Sequence, residues 1–215
     1  MNADAIKEAL SIMRGSPLET YVPVADVPFE ECHEGGVLCS GPVVSVCMTV
    51  YNHQGFLQQA IESIVSQITD FPYELIIGED CSTDDSRRIC LEFQKRFPDK
   101  IRVLWAERNC NETFGNLLRV MSQCLGEYIA FCEGDDYWID PYKLQKQVDV
   151  IRAHPTVGMF VAKNRVYFNE HGRFADYESG VEREGVYSGA EIFDAMALKT
   201  QMPGVRFGMG FNQTA

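Results

Sequence analysis

The stretch YIAFCEGDDYWIDP, residues 128–141, places Glu133, Asp135 and Asp136 directly after a short apolar run. Two carboxylates about 5 Å apart repel by a few kcal/mol at the dielectric of a protein surface. Asp140, followed by Pro141, already supplies the start signal of the next helix, so the acidic pair is not needed for capping. A divalent cation removes the repulsion. Mg2+ or Mn2+ typically takes one or two carboxylates together with phosphate oxygens. The plainer reading is a pair of solvated turn acids. Similar polar clusters follow two other apolar runs: Thr49, Tyr51, Asn52 and His53 at the end of VVSVCMTV, and Glu79 and Asp80 at the end of YELIIGED. Each alone could be ordinary turn chemistry. A third cluster, Glu107, Arg108 and Asn109, is less distinct. The loop YNHQGF has one glycine, and neither G-x-G-x-x-G nor G-x-x-x-x-G-K-[ST] is present. A phosphate ligand here would depend on metal rather than on a glycine cradle.

These clusters need a scaffold that brings them to one edge. VVSVCMTV, YELIIGED, IRVLWA and YIAFC read as four buried strands, rich in β-branched and other apolar residues. Helical stripes lie between them. The first is Phe56, Leu57, Ala60, Ile61, Ile64, Val65 and Ile68; the second is Ile89, Phe93 and Phe97 behind a Ser82–Asp85 capping box. The third is Phe114, Leu117, Leu118, Met121 and Leu125, closed by Gly126, and the fourth is Leu144, Val148 and Ile151 behind Asp140. Strand alternating with helix predicts an α/β fold with a mainly parallel central sheet sandwiched by helices. In such sheets ligands sit at the carboxyl ends of the strands, where the polar clusters fall. Further on, VGMFVAKNRVYF and GRFADYE around NEHG predict a small hairpin, and Ser188 opens a last helix through GAEIFDAMAL. Ile6, Ala9, Leu10 and Met13 predict a short N-terminal helix, and residues 16–42 an extended arm that could cover the sheet edge or mediate a homodimer. The expected organisation is thus a helix and arm over 1–42, an α/β domain over 43–162, and a hairpin, helix and irregular tail over 163–215.

The net charge of −12 and pI near 4.8 oppose binding to nucleic acid or anionic lipid. Eight cysteines include no C-x-x-C pair, which gives zinc little support, and free thiols fit a reducing compartment. The start carries acids before any apolar run, unlike a signal peptide, and no apolar run reaches the roughly 18 residues of a membrane span. The expectation is a cytoplasmic protein, at most peripheral at the inner face of a membrane.

Three stretches carry a family resemblance. VSVCMTVYNHQGFLQQAIESIVSQ, LIIGEDCSTDDS and GEYIAFCEGDDYWIDPYKLQKQV, in that order, resemble family-2 glycosyltransferases of the GT-A fold. The likeness runs from about Val43 to Val150. It implies inverting transfer of a sugar from a nucleotide diphosphate sugar, usually a UDP-sugar, to a glycan or lipid-linked hydroxyl, with Mn2+ or Mg2+ on the diphosphate. It places Thr49, Val50, Tyr51 and Asn52 at the nucleobase, and Asp80, with Glu79 beside it, at the base or ribose. The D-x-D motif falls on Glu133, Gly134 and Asp135, with Glu in place of the commoner Asp. Asp135 is the first metal ligand and Asp136 the second. Arg108, Asn109 and Asn116 are candidates for the polar residue near strand three. The family's catalytic base lies in an acidic pair well after the D-x-D motif. Asp176, Glu178, Glu191 and Asp194 lie downstream, and Glu191 and Asp194 are weak candidates that read more readily as the polar face of a helix. The base is therefore unassigned, and the resemblance implies a chain short on its C-terminal side. Trp138 reads as packing beneath the acidic loop rather than stacking on a sugar. The rival functions are a non-catalytic or truncated nucleotide-sugar-binding protein and, behind it, a sugar nucleotidylyltransferase, whose Gly-rich basic first loop is missing here.

Overall fold

The computed structural model describes residues 29–32, 41–110, 113–155, 160, 165–168 and 173–176. Strands β2 (Val44–Val50), β3 (Tyr73–Glu79), β4 (Ile101–Ala106) and β5 (Tyr128–Phe131) alternate with helices α1 (Leu57–Val65), α2 (Ser86–Arg96) and α3 (Thr113–Ser122). Helix α4 (Lys143–Ala153) follows β5. A further strand, β1 (Phe29–Cys32), precedes them all. The central sheet has the order β1-β4-β3-β2-β5, with β1 antiparallel and the other four parallel. This is the mainly parallel α/β arrangement that the resemblance implies.

Alternation along the strands divides the core. Val44, Val46, Met48 and Val50 of β2 and Leu75 and Ile77 of β3 face α1, α2 and α4, where Leu57, Ile61, Ile64, Cys90, Phe93, Leu144 and Val148 meet them. Cys47 and Ile76 face the other way, with Leu104 of β4, against Val120 and Cys124 at α3. Among the described residues three helices cover one face and one covers the other, so the two sides of the core differ in size. Gly78 lies under α3: a Cβ there would meet Asn116 Oδ1 at 2.3 Å and Val120 Cγ2 at 2.4 Å, so only glycine admits this approach. The chain leaves β2 toward β3 and β4 on one side and returns to β5 on the other. The crevice between the carboxyl ends of β2 and β5 is therefore the switch point where α/β sheets bind ligands.

At the opposite end of the sheet a buried polar cluster ties β1 to the edge. Arg102 Nε donates to Glu31 Oε1 at 2.5 Å, and its Nη1 donates to Glu74 Oε2 at 3.2 Å and to Gln123 O at 2.7 Å. Ser45 Oγ donates to Glu74 Oε1 at 2.6 Å and accepts the Gly126 N–H at 2.8 Å. Burial pulls the Arg102 guanidinium down, but Glu31 and Glu74 more than offset it and hold it above its ordinary value. Residues 29–32 of the expected arm are thus a paired edge strand, which removes an open edge from β4.

Several local expectations change. The Ser82–Asp85 capping box does not form. Ser82 Oγ accepts the Asn52 N–H at 3.0 Å instead, and Asp84 Oδ1 takes the Ser86 N–H at 2.9 Å where α2 begins. Asp140 accepts the Tyr142 N–H at 2.9 Å, but a turn over 141–142 delays α4 to Lys143. Ile68 and Leu125, assigned to helical stripes, lie beyond the ends of α1 and α3 and are more than half exposed. Strands β6 (Arg165–Phe168) and β7 (Arg173–Asp176) pair antiparallel across NEHG, as the hairpin pattern predicts. The expected N-terminal helix, the helix after Ser188, and Glu178, Glu191 and Asp194 lie outside the described residues. Asp176 falls on β7, in the hairpin.

Candidate functional site

The carboxyl ends of β2 and β3 are joined to each other by their loops. The Asp80 N–H donates to Val50 O at 3.0 Å. Asn52 takes a left-handed φ of 57°, which asparagine tolerates. Its Oδ1 accepts the Thr83 N–H at 2.8 Å. The Gln54 N–H donates to Asp84 Oδ2, the Asp85 N–H to Gln54 Oε1, and the His53 N–H to Ser86 Oγ, all between 2.9 and 3.0 Å. Two loops cross-linked this densely form one rigid rim. Cys81, in the same rim, has a φ of 59°, an uncommon conformation for a residue with a Cβ. Such strain persists where the surroundings fix it, as these bonds do.

The β5 loop closes onto the end of β2. The Gly134 N–H donates to Thr49 O at 3.1 Å, and the Thr49 hydroxyl donates to Glu133 Oε2. A Cβ on Gly134 would meet His53 Nδ1 at 2.6 Å and Val50 Cγ2 at 3.0 Å, so glycine is what lets the acidic loop approach this strand. Three carboxylates then crowd one turn. Burial lifts the Glu133 carboxyl above its ordinary value; Thr49 offsets part of the shift and Asp135 adds to it. Asp136 is pushed up to about 7 by burial and by the charges of Asp135 and Glu133. Asp135 is exposed and faces solvent.

The donor set is of hard oxygens with excess negative charge, which suits Mg2+ or Mn2+. Among the described residues no three His, Cys, Asp or Glu side chains converge as a complete ligand set. A cation held by Asp135 and Asp136 would therefore complete its shell with oxygens from a ligand. Two carboxylates of this kind suit a hard divalent cation that keeps most of its other ligands.

Asp80 is nearly buried. Its Oδ1 and Oδ2 accept the Cys110 N–H at 3.1 and 3.3 Å, its Oδ2 also accepts the Cys110 thiol, and its Oδ1 lies 3.8 Å from Arg119 Nη2. Tyr51, 45% exposed, stands on the rim beside it. The expected set thus divides. Thr49 meets Glu133 and Gly134 directly, Asp135 and Asp136 follow on the same loop, and Asp80 and Tyr51 lie at the neighbouring ends of β3 and β2, whereas the Val50 side chain is buried in the core and only its carbonyl, on the Asp80 N–H, takes part.

Glu79, Asn52 and Asn116 are turned to other tasks. Glu79 is fully buried, with Oε2 on Arg87 Nε and Oε1 on the Ser82 N–H, both at 2.6 Å. Asn116 lies under the sheet, donating to Gly78 O at 2.7 Å and accepting from Arg119 Nη2 at 2.6 Å. Asn52 holds the rim together. Asn109 reaches the site through the backbone, donating to Asp80 O at 3.0 Å, and Arg108 is exposed beyond it. Trp138 packs in the core beneath the loop, with Lys143 Nζ 5.1 Å from its ring centre.

Arg119 and Cys110, both on Asp80, and His53, against Gly134, were not among the expected ligand-binding residues. Arg119 left little signal: it is a lone cation, three residues after Asn116, in a helix read for its apolar stripe.

Residues 45–211 match the family model described as glycosyl transferase family 2. Among curated relatives, the chain is 35% identical to an uncharacterized protein of Mycobacterium tuberculosis over 134 residues, covering 62% of this chain and 38% of that one. It is 35% identical to the putative glycosyltransferase EpsE of Bacillus subtilis over 133 residues, 62% of this chain and 46% of that one. A solved structure, S. aureus TarS 1–349 in complex with UDP, aligns at 25% identity and a TM-score of 0.46, over 55% of this chain and 38% of that one. The chain spans less than half the length of these relatives. The family match begins on β2 and takes in the rim, the crevice and the acidic loop, and on that footing the chain belongs to glycosyl transferase family 2.

Proposed function

We propose that the crevice between β2 and β5 binds a nucleotide diphosphate sugar, with UDP as the nucleotide, and that the whole protein transfers the sugar with inversion to a hydroxyl of a glycan or lipid-linked acceptor. The observation that carries this reading is the crowding of Glu133, Asp135 and Asp136 on a loop that Gly134 pins to the end of β2, the strand whose Val50 O also accepts the Asp80 N–H. A loop overloaded with carboxylates at the switch point of an α/β sheet is suited to a metal-bound diphosphate.

Each residue then has a physical task. Tyr51 offers an exposed ring to one face of a nucleobase. Asp80, held by Cys110 and Arg119, presents an acceptor to the N–H of the base or to a ribose hydroxyl. Glu133, anchored by Thr49, keeps the acidic loop against the strand. Asp135 and Asp136 are the metal ligands, Asp135 first because it faces solvent. When bound, Mn2+ or Mg2+ supplies positive charge at the departing diphosphate. The fixed carboxylates and donors of the rim do not have to reorganise as that charge develops. The acceptor hydroxyl must lose its proton to a carboxylate base, for which Glu191 and Asp194 remain the candidates.

Incubation with a panel of UDP-sugars and Mn2+, reading release of UDP, tests the reading. Slow release from one donor is expected, because donor leaks to water without acceptor, and Asp135→Ala should abolish it. Failure to release UDP from any donor, with or without acceptor glycans, would contradict transfer.

A further inference from the structure

The geometry points to the edge strand β1 as a working part of the nucleotide site: Phe29 covers the guanidinium of Arg119, and Arg119 positions Asp80. This rests on the proposed nucleotide-binding reading and assigns it one residue, Phe29, that precedes the family match over residues 45–211.

β1 runs antiparallel to β4, with Phe29 opposite Ala106 and Cys32 opposite Val103. That direction places Phe29 at the carboxyl end of the sheet, where the site is, and Cys32 toward the far end. The register is fixed from below by Glu31 on Arg102 at 2.5 Å, and from the other face by the Cys32 thiol near Gln94 Oε1 at 3.7 Å. Phe29 is therefore delivered to one place, and its ring centre lies 5.9 Å from the Arg119 guanidinium carbon.

Arg119 needs that support. It is 8% exposed, yet its hydrogen bonds do not saturate it. Nη2 donates to Asn116 Oδ1 at 2.6 Å and, at longer range, to Glu79 O at 3.4 Å; it lies 3.8 Å from Asp80 Oδ1, and among the described residues Nε has no hydrogen-bond partner. A guanidinium held this loosely is free to turn toward water unless something covers it. An aromatic face does so without competing for its donors, and it attracts the cation. With Phe29 in place, Arg119 stays beside Asp80 and the carboxylate keeps a charged neighbour as well as the Cys110 donors. Without it, Asp80 loses that neighbour and the orientation that presents it to a nucleoside. Phe29 and Arg119 are thus positioning residues, acting through Asp80.

Calorimetric titration with UDP and, separately, with inorganic pyrophosphate, both in Mn2+, separates positioning from general weakening of the fold. Pyrophosphate carries the metal-binding part of the ligand but no nucleoside. Phe29→Leu, which keeps an apolar side chain but removes the aromatic face, should weaken UDP about three- to tenfold, the range a partly desolvated cation–π contact supports, and leave pyrophosphate unchanged. Phe29→Tyr should bind UDP as the wild type does. Arg119→Lys keeps the charge but not the planar fork, and should show the same selective loss. In an Asp80→Ala background the Phe29→Leu effect should disappear. Unchanged UDP binding in both Phe29→Leu and Arg119→Lys, or equal losses on UDP and pyrophosphate, would overturn the inference while leaving the nucleotide site in place. A wild-type chain that binds neither ligand would overturn the proposed function and this inference with it.

Discussion

Replacing Asp136 with asparagine should stabilise the metal-free protein at pH 8 and leave it nearly unchanged at pH 4. Burial, with Asp135 and Glu133 adjacent, pushes the Asp136 carboxyl up to about 7. In the unfolded chain the same group titrates near 3.9. The folded state therefore holds a proton that the unfolded state has released over the window between them. The stability this contributes is fully present below about pH 4 and is lost as pH rises through about 7. At about 1.36 kcal/mol per unit, a shift of about three units sets a ceiling near 4 kcal/mol. Asp136 is only half-buried, so solvent screening reduces the expected difference to about 1–2 kcal/mol. Asparagine has nearly the same shape and no charge to desolvate. The assay is urea unfolding in a chelator, followed by the intrinsic fluorescence of Trp105 and the buried Trp138, at pH 4 and pH 8. Urea is preferred to guanidinium chloride because salt would screen the repulsion. Adding Mn2+ and UDP at pH 8 should then stabilise the wild type more than the variant, since binding only to the folded state raises its stability. Equal stability of the two chains at pH 8, or a variant that is weaker at both pH values, would refute this account of the acidic loop.

Two further substitutions test the scaffold. Gly134→Ala puts a methyl 2.6 Å from His53 Nδ1 and 3.2 Å from Thr49 O, and should cost about 1–3 kcal/mol in urea unfolding while lifting the acidic loop off β2 and weakening Mn2+-dependent UDP binding. Arg102→Ala strips the guanidinium from buried Glu74 and from Glu31, and should cost about 3–5 kcal/mol; a loss below about 1 kcal/mol would show that the cluster does not anchor β1.

The α/β core was legible because β2, β3 and β4 are almost wholly buried and so read as mostly apolar runs, as in VSVCMTV of β2. The acidic loop was legible because its charges exceed what capping requires. β1 was not: FEEC has neither an apolar run nor a clean period, and its place depends on Arg102, 71 residues from Glu31. The Ser82–Asp85 pattern is a sound local signal, but the Asn52 N–H, 30 residues earlier, claims the Ser82 hydroxyl. The helical stripes ran on to Ile68 and Leu125 because apolarity alone does not mark where the chain turns. Glu79, beside the acid that ends a strand, and Asn116, one of three candidates near strand three, were placed at the ligand by the family resemblance. Which way their side chains point depends on Arg87 and on Gly78 O, partners that sequence spacing does not reveal. Arg119 was hidden for the converse reason, as a single cation within a helix read for its apolar stripe.

The proposed function requires that the acids after β5 hold a divalent metal on the diphosphate of a nucleotide seated against β2 and β3. Calorimetric titration of the protein with UDP, with and without Mn2+, for the wild type and Asp135→Ala, tests it most directly. Binding by the wild type should require Mn2+ and be lost in Asp135→Ala. Failure of UDP to bind under any metal condition, or binding that is the same without Mn2+ and in the variant, would contradict it.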